Sequence, residues 1–173
     1  MSYSFTTFLH SEKYAVLKQN SHRRPDKLLP KKYSNRIFYV AFINLSSAAL
    51  ALYYKQWDFL TVVFGVMCNS LNYWRHPTNG LRRKVDMTWV FIGCTYQMAK
   101  SMTLEIEYLI AYWLAVVLAI SSYALARYYG RTKLDFDTSS RVHTGIHFFG
   151  NLSNIILYIG YFRLTTASIP VSR

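Results

Sequence analysis

Long apolar blocks, rather than alternating polar and apolar positions, dominate this chain of 173 residues. Five blocks approach the length of a membrane span: Ile37–Tyr54, Phe59–Trp74, Val85–Thr103, Ile106–Leu125 and Val142–Phe162. A helix needs about 20 residues to cross the hydrocarbon, and Trp57 and Trp74 at the ends of the short second block are typical of membrane interfaces. The third block is interrupted by Gln97 and Lys100. The pattern predicts an all-α integral membrane bundle of about five transmembrane helices.

Composition agrees with this organisation, since 52% of the residues are hydrophobic and only 16% are charged, against roughly 25% charged in soluble domains. We expect a basic arm over residues 1–36, a five-span domain over 37–163 and a short tail over 164–173. Residues 1–36 lack the continuous apolar core of a cleavable signal peptide, so the first block is the expected insertion signal. Within the arm, Phe5, Phe8 and Leu9 could form one face of an interfacial helix, or the arm could be a disordered tail.

The net charge of +12 is unevenly distributed. Sixteen of the 20 basic residues lie before the first block, after the second or after the fourth. The alternate connections and ends hold Lys55, Lys100, Arg163 and Arg173. Because cytosolic loops are enriched in Lys and Arg, this split predicts a cytosolic N-terminus and a non-cytosolic C-terminus. The expected partners are the bilayer and anionic lipid headgroups, which the arm and basic loops would contact. No recognition motif accompanies the charge, so nucleic acid is not an expected partner.

Polar residues recur at helical spacing within three of the blocks, so each set occupies one helix face. The sets are Asn69, Asn72 and His76; Asp86, Gly93, Gln97 and Lys100; and His143, His147, Asn151 and Asn154. Polar groups in hydrocarbon usually face the bundle interior or a wet cavity. The stripes therefore predict a shared polar interior, which either packs the helices together or forms a site.

His143 and His147 stand four residues apart, a spacing that can aim two imidazoles at one zinc ion. A third ligand from another helix would leave one coordination position for water, whose pKa zinc lowers to about 7. Asp86 could accept a proton from that water or orient a histidine. The alternative is that two histidines at this spacing arise by chance and serve only packing.

These residues resemble the CREST superfamily of membrane hydrolases, which includes alkaline ceramidases and adiponectin-receptor-like proteins. His76 stands near the end of the second block, Asp86 follows ten residues later, and His143 and His147 open the last block. The resemblance implies a zinc ion bound by His76, His143 and His147 near the cytosolic leaflet, and a lipid amide or ester as substrate. The family has seven spans and a serine four residues before the first histidine, where this chain has Asn72. Asn72 or Ser70 would then be the oxyanion donor.

Three functions therefore follow as hypotheses. One is a zinc-dependent lipid hydrolase. Another is a non-enzymatic membrane scaffold or assembly protein, in which the polar stripes pack helices. The third is a small carrier or channel with Gln97 and Lys100 near its non-cytosolic mouth, for which five unlike spans without internal symmetry are a poor match unless a homo-oligomer forms the pore.

Overall fold

The computed structural model describes residues 29–167, and regular structure in this range is entirely helical. The helices are α1 Lys31–Val40, α2 Asn44–Tyr53, α3 Trp57–Trp74, α4 Leu81–Ser101, α5 Ile106–Arg131 and α6 Phe136–Ala167. A 3-10 turn, Ala41–Ile43, joins α1 and α2 into one rod, so the described part of the chain contains five rods. The all-α prediction is confirmed. The expected interfacial helix at Phe5, Phe8 and Leu9 and the last residues of the tail lie outside the described range.

Four of the helices, α1, α3, α4 and α6, begin earlier than their apolar blocks, and the difference is largest for the first and the last. The first starts at Lys31 rather than Ile37, directly after Pro30, whose φ of −58° suits a helix start. The last starts at Phe136 rather than Val142, where Asp135 accepts hydrogen bonds from the amide and hydroxyl of Thr138 at 3.0 and 2.7 Å. Such caps satisfy amide groups that a helix start would otherwise leave free. Helix ends with polar sequences thus extend beyond the apolar blocks.

Helix α6 is the centre of the bundle, since it packs against α5, against the α1–α2 rod and against α4. Helix α3 packs between α4 and the α1–α2 rod, whereas α5 packs chiefly on α6. The main apolar core lies between α2, α3, α5 and α6, where Phe59 stacks on Tyr158 with ring centroids 4.7 Å apart. Both rings are completely buried. This arrangement leaves much of the surface of α5 uncovered.

Glycines bring α5 and α6 close together. A Cβ at Gly145 would lie 2.7 Å from the Ser122 hydroxyl, and one at Gly160 would lie 2.9 Å from the ring of Tyr108. Gly130 of α5 meets Ser139 of α6 in the same way, at 2.8 Å. Small residues that allow close backbone approach are typical of helix interfaces in membranes. Within the described range, α5 and the α1–α2 rod are each long and apolar enough to cross a membrane.

Candidate functional site

The polar stripe predicted on α4 lies on its buried face. Asp86, Gly93 and Gln97 are all buried, at positions that share one side of the helix. The Oγ of Ser70 on α3 donates a hydrogen bond of 2.6 Å to Oδ1 of Asp86. Further along, Nε2 of Gln97 donates to the hydroxyl of Tyr158 on α6 at 3.2 Å. The prediction of a polar interior is therefore confirmed for α4.

The prediction that the polar stripe on α3 faces the interior is wrong. Asn72 and His76 are exposed, and Asn69 donates its side-chain hydrogen bond to the carbonyl oxygen of Gly65 in its own helix. The buried face of α3 instead carries Phe59, Val63, Met67 and Ser70. These large side chains determine the rotation of the helix, because burying them turns the Asn69 stripe towards its flank. Ser70 is thus the polar group that α3 contributes to the interior.

The two histidines of α6 lie together, with ring centroids 5.8 Å apart. Trp74, at the end of α3, contacts the His143 ring edge-on at 4.8 Å. The Nε2 atom of His147 is buried and has no hydrogen-bond partner among the described residues. The i, i+4 pair predicted from the sequence therefore faces the interior between α6 and its neighbours, where an aromatic ring partly encloses it.

The ligand set that the resemblance implies is not assembled. Within residues 29–167 no group of three or more His, Cys, Asp or Glu side chains could hold a metal ion. His76 lies exposed beyond the end of α3, and the carboxylate of Asp86 accepts its hydrogen bond from Ser70. Asn72, the alternative oxyanion donor, is also exposed. Among residues 29–167 the implied zinc ligands are therefore not brought together in one group, and bound zinc stays a prediction.

An ionic cluster that the sequence did not single out joins α1 to the start of α6. Arg36 donates hydrogen bonds of 2.9 Å to Asp137 Oδ1 and 2.6 Å to Ser140 Oγ. Arg141 contacts the other carboxylate oxygen of Asp137 at 2.9 Å. The hydrogen bond from Arg36, together with the charge of Arg141, holds the pKa of Asp137 below its usual range. The sequence signal available for this cluster was the pair of acids, Asp135 and Asp137, within a segment otherwise rich in basic residues.

A second cluster lies at the opposite end of the bundle and joins α3, α4 and α6. Tyr96 donates a hydrogen bond to Asp58, and Lys100 lies 3.9 Å from the same carboxylate. The ammonium of Lys100 also contacts the hydroxyl of Tyr161 at 3.4 Å. Lys100, predicted near the non-cytosolic mouth, is therefore part of a network of side-chain contacts between helices.

No protein-family model matches the chain, and searches of curated proteins and of solved structures return no match. The resemblance to the CREST superfamily accordingly gains no support from relatives.

Proposed function

We propose that this chain is a multi-pass integral membrane protein, a non-enzymatic scaffold in which polar contacts on α6 hold five membrane-crossing rods in register. The observation that carries the proposal is the distribution of side chains. In the described range, large apolar side chains on the bundle surface outnumber those inside it, while many buried side chains are polar. In water such an exposed apolar surface would drive aggregation, whereas in lipid it is the expected exterior.

Helix α5 illustrates the distribution most clearly. Its exposed residues include Ile106, Ile110, Leu114, Val117, Ile120 and Leu125, whose spacing of three to five residues places them along one broad side of the helix. The polar residues Asn44, Ser47, Asn151 and Ser153 are buried among the other helices. Hydrocarbon around α5 would cover the apolar side chains without any further protein.

The pairing of the interior groups favours a scaffold over an enzyme. Asp86, Gln97 and Asn151 each share a hydrogen bond with a neighbouring helix, to Ser70, Tyr158 and Ser46 respectively. Among buried side-chain nitrogen and oxygen atoms of the described residues, only Gln56 Oε1 and His147 Nε2 lack a partner. Satisfied polar groups of this kind typically hold membrane helices together, contributing about 0.6–2 kcal/mol each.

The basic residues support an orientation with a cytosolic N-terminus and a non-cytosolic C-terminus. Arg75 and Lys84 flank the α3–α4 turn, and Arg131 and Lys133 flank the α5–α6 turn. The start of α1 adds Lys31 and Lys32. In an antiparallel bundle these three regions belong to one end, and their charge favours the cytosolic side.

Cysteine labelling in cells tests the membrane topology. In a background with Cys68→Ala and Cys94→Ala, single cysteines at Thr103 and Thr132 probe the α4–α5 and α5–α6 turns, both of which are exposed. A membrane-impermeant maleimide should reach Thr132→Cys only from the cytosolic side and Thr103→Cys only from the opposite side, which labelling of intact cells, of cells with only the plasma membrane opened, and of detergent-treated cells distinguishes in any membrane. Release of the chain by alkaline carbonate, or labelling of both sites from the same side, would overturn the proposal.

Metal analysis of the purified chain separates the scaffold from the hydrolase. If the chain is a scaffold, the purified wild type should contain no stoichiometric zinc. The double variant His143→Ala with His147→Ala should then have the same zinc content as the wild type. About one zinc per chain that disappears in this double variant would favour the hydrolase instead.

A further inference from the structure

We propose that the turn between α3 and α4 binds the headgroup of one anionic phospholipid, an inference that rests on the proposed membrane residence. A cavity of about 370 Å³ opens at this turn. It is lined by Asn79, Gly80, Leu81, Arg83, Lys84 and Met87. The lining combines two cationic side chains with two apolar ones and contains no acidic side chain, which is the combination that an anionic amphiphile requires.

The polar half of the cavity is held in place by neighbouring side chains. Arg83 Nη1 donates a hydrogen bond of 3.1 Å to Asn79 Oδ1, and the guanidinium also interacts with Tyr73. A guanidinium carries five N–H donors, so donors remain for a phosphate oxygen after these contacts. The nearest acid along the helix, Asp86, is buried against Ser70 and does not line the cavity. The positive charge at the turn is therefore free to attract an anion.

The apolar half indicates a lipid rather than free phosphate. Leu81 is 77% exposed and Met87 is 48% exposed, although both line the cavity. Beyond Met87 the same helix face continues to Phe91, which is 73% exposed. At 1.5 Å per residue, Phe91 lies about 10 Å along the helix from Lys84. An acyl chain attached to a headgroup in the cavity would run along this exposed apolar face.

Native mass spectrometry of the full chain in a neutral detergent tests the site, because single lipids added to micelles create no charged leaflet. The probes are dioleoyl phosphatidylglycerol, dioleoyl phosphatidylcholine and the soluble headgroup glycerol phosphate. We expect the wild type to prefer phosphatidylglycerol over phosphatidylcholine. The double variant Arg83→Gln with Lys84→Gln should bind phosphatidylglycerol about tenfold more weakly or worse, because the two substitutions remove two charge-assisted contacts.

Arg131→Gln with Lys133→Gln is the matched control, since it removes the same charge from the neighbouring basic turn without touching the cavity. The control should change affinity by less than about twofold if charge away from the cavity does not matter. Leu81→Ser with Met87→Ser should weaken lipid binding and leave glycerol phosphate unaffected, which keeps the test open if the charge variant fails to fold.

Equal losses in the two charge variants, no phosphatidylglycerol preference in the wild type, or glycerol phosphate binding as tightly as the lipid would each overturn the site. The proposed function fails by a different result, release of the chain from membranes by carbonate.

Discussion

Helix α6 presents two unlike interfaces to the rest of the bundle. Towards α1, α2, α3 and α4 it uses polar side chains, among them Asp137, Asn151 and Tyr158. Towards α5 it uses mainly the small residues Gly145 and Gly160, together with a hydrogen bond of 2.8 Å that Ser139 Oγ donates to the carbonyl oxygen of Ala126. Hydrogen bonds are directional and specify register, whereas small residues allow close van der Waals packing without specifying a polar partner. The first interface of α6 therefore determines how the rods align, and the second determines how closely α5 approaches.

The largest expected effect is at the glycine interface. Gly160→Leu should lower the free energy of unfolding by about 3 kcal/mol, because its side chain would displace the packed ring of Tyr108. Titration of the purified chain with sodium dodecyl sulfate measures this quantity. Gly150→Leu is the control on the same helix, since a Cβ at Gly150 meets nothing within 4 Å. If the two leucine variants were equally stable, close packing of α5 would not contribute to stability.

The next largest effect tests the polar contact that joins α3 to α4, between Ser70 and Asp86. Ser70→Ala should lower the free energy of unfolding by about 1–2 kcal/mol, since it leaves a buried carboxylate without its hydrogen bond. In a double-mutant cycle with Asp86→Ala, the two losses should not add, because each variant removes the same contact. Cys68→Ala, an exposed change on the same helix, should stay within about 0.5 kcal/mol. Strictly additive losses would show that the pair does not hold α3 against α4.

The sequence alone predicted some of the buried polar faces correctly and others incorrectly. Periodicity located Asp86 and Gln97 on one face of α4, and that face is buried, with Asp86 bonded to Ser70 of α3 and Gln97 to Tyr158 of α6. The same spacing misplaced Asn72 and His76 on α3, where the bulk of Phe59, Val63 and Met67 decided which face packs inward. Periodicity identifies residues on a common face but does not say which face is buried when large apolar side chains compete.

The ionic cluster of Arg36, Asp137 and Arg141 could not be predicted from the sequence for a different reason. Arg36 and Asp137 are 101 residues apart, and their contact depends on α1 packing beside the start of α6. In contrast, the closeness of His143 and His147 follows from their spacing within one helix. The position of His76 relative to them depends on how α3 is rotated and on where that helix ends. Contacts within a helix are local properties, whereas contacts between helices require the fold.

The ionic cluster should make part of the polar interface sensitive to acid. The pKa of Asp137 is lowered mainly by its hydrogen bond from Arg36, so the folded pKa lies below the unfolded value of about 3.9. The stabilisation is therefore fully present above pH 4 and disappears as pH falls through the folded pKa. Thermal unfolding of the wild type in detergent should show this loss, and Asp137→Asn should remove that part of the pH dependence. Identical pH profiles for both chains would contradict the proposed contact.

The smallest expected effect distinguishes the buried His147 from the exposed His76. His147 Nε2 is buried without a described partner, so replacing the imidazole with an apolar side chain removes a desolvated nitrogen rather than a formed hydrogen bond. His147→Leu should therefore be neutral or should raise the free energy of unfolding by up to about 1 kcal/mol. His76→Leu, at an exposed position, should change it by less than about 0.5 kcal/mol. If His147→Leu instead cost more than about 2 kcal/mol, the imidazole would have a partner that the packing of the helices alone does not supply, and the polar interface would then contain a binding function as well as a structural one.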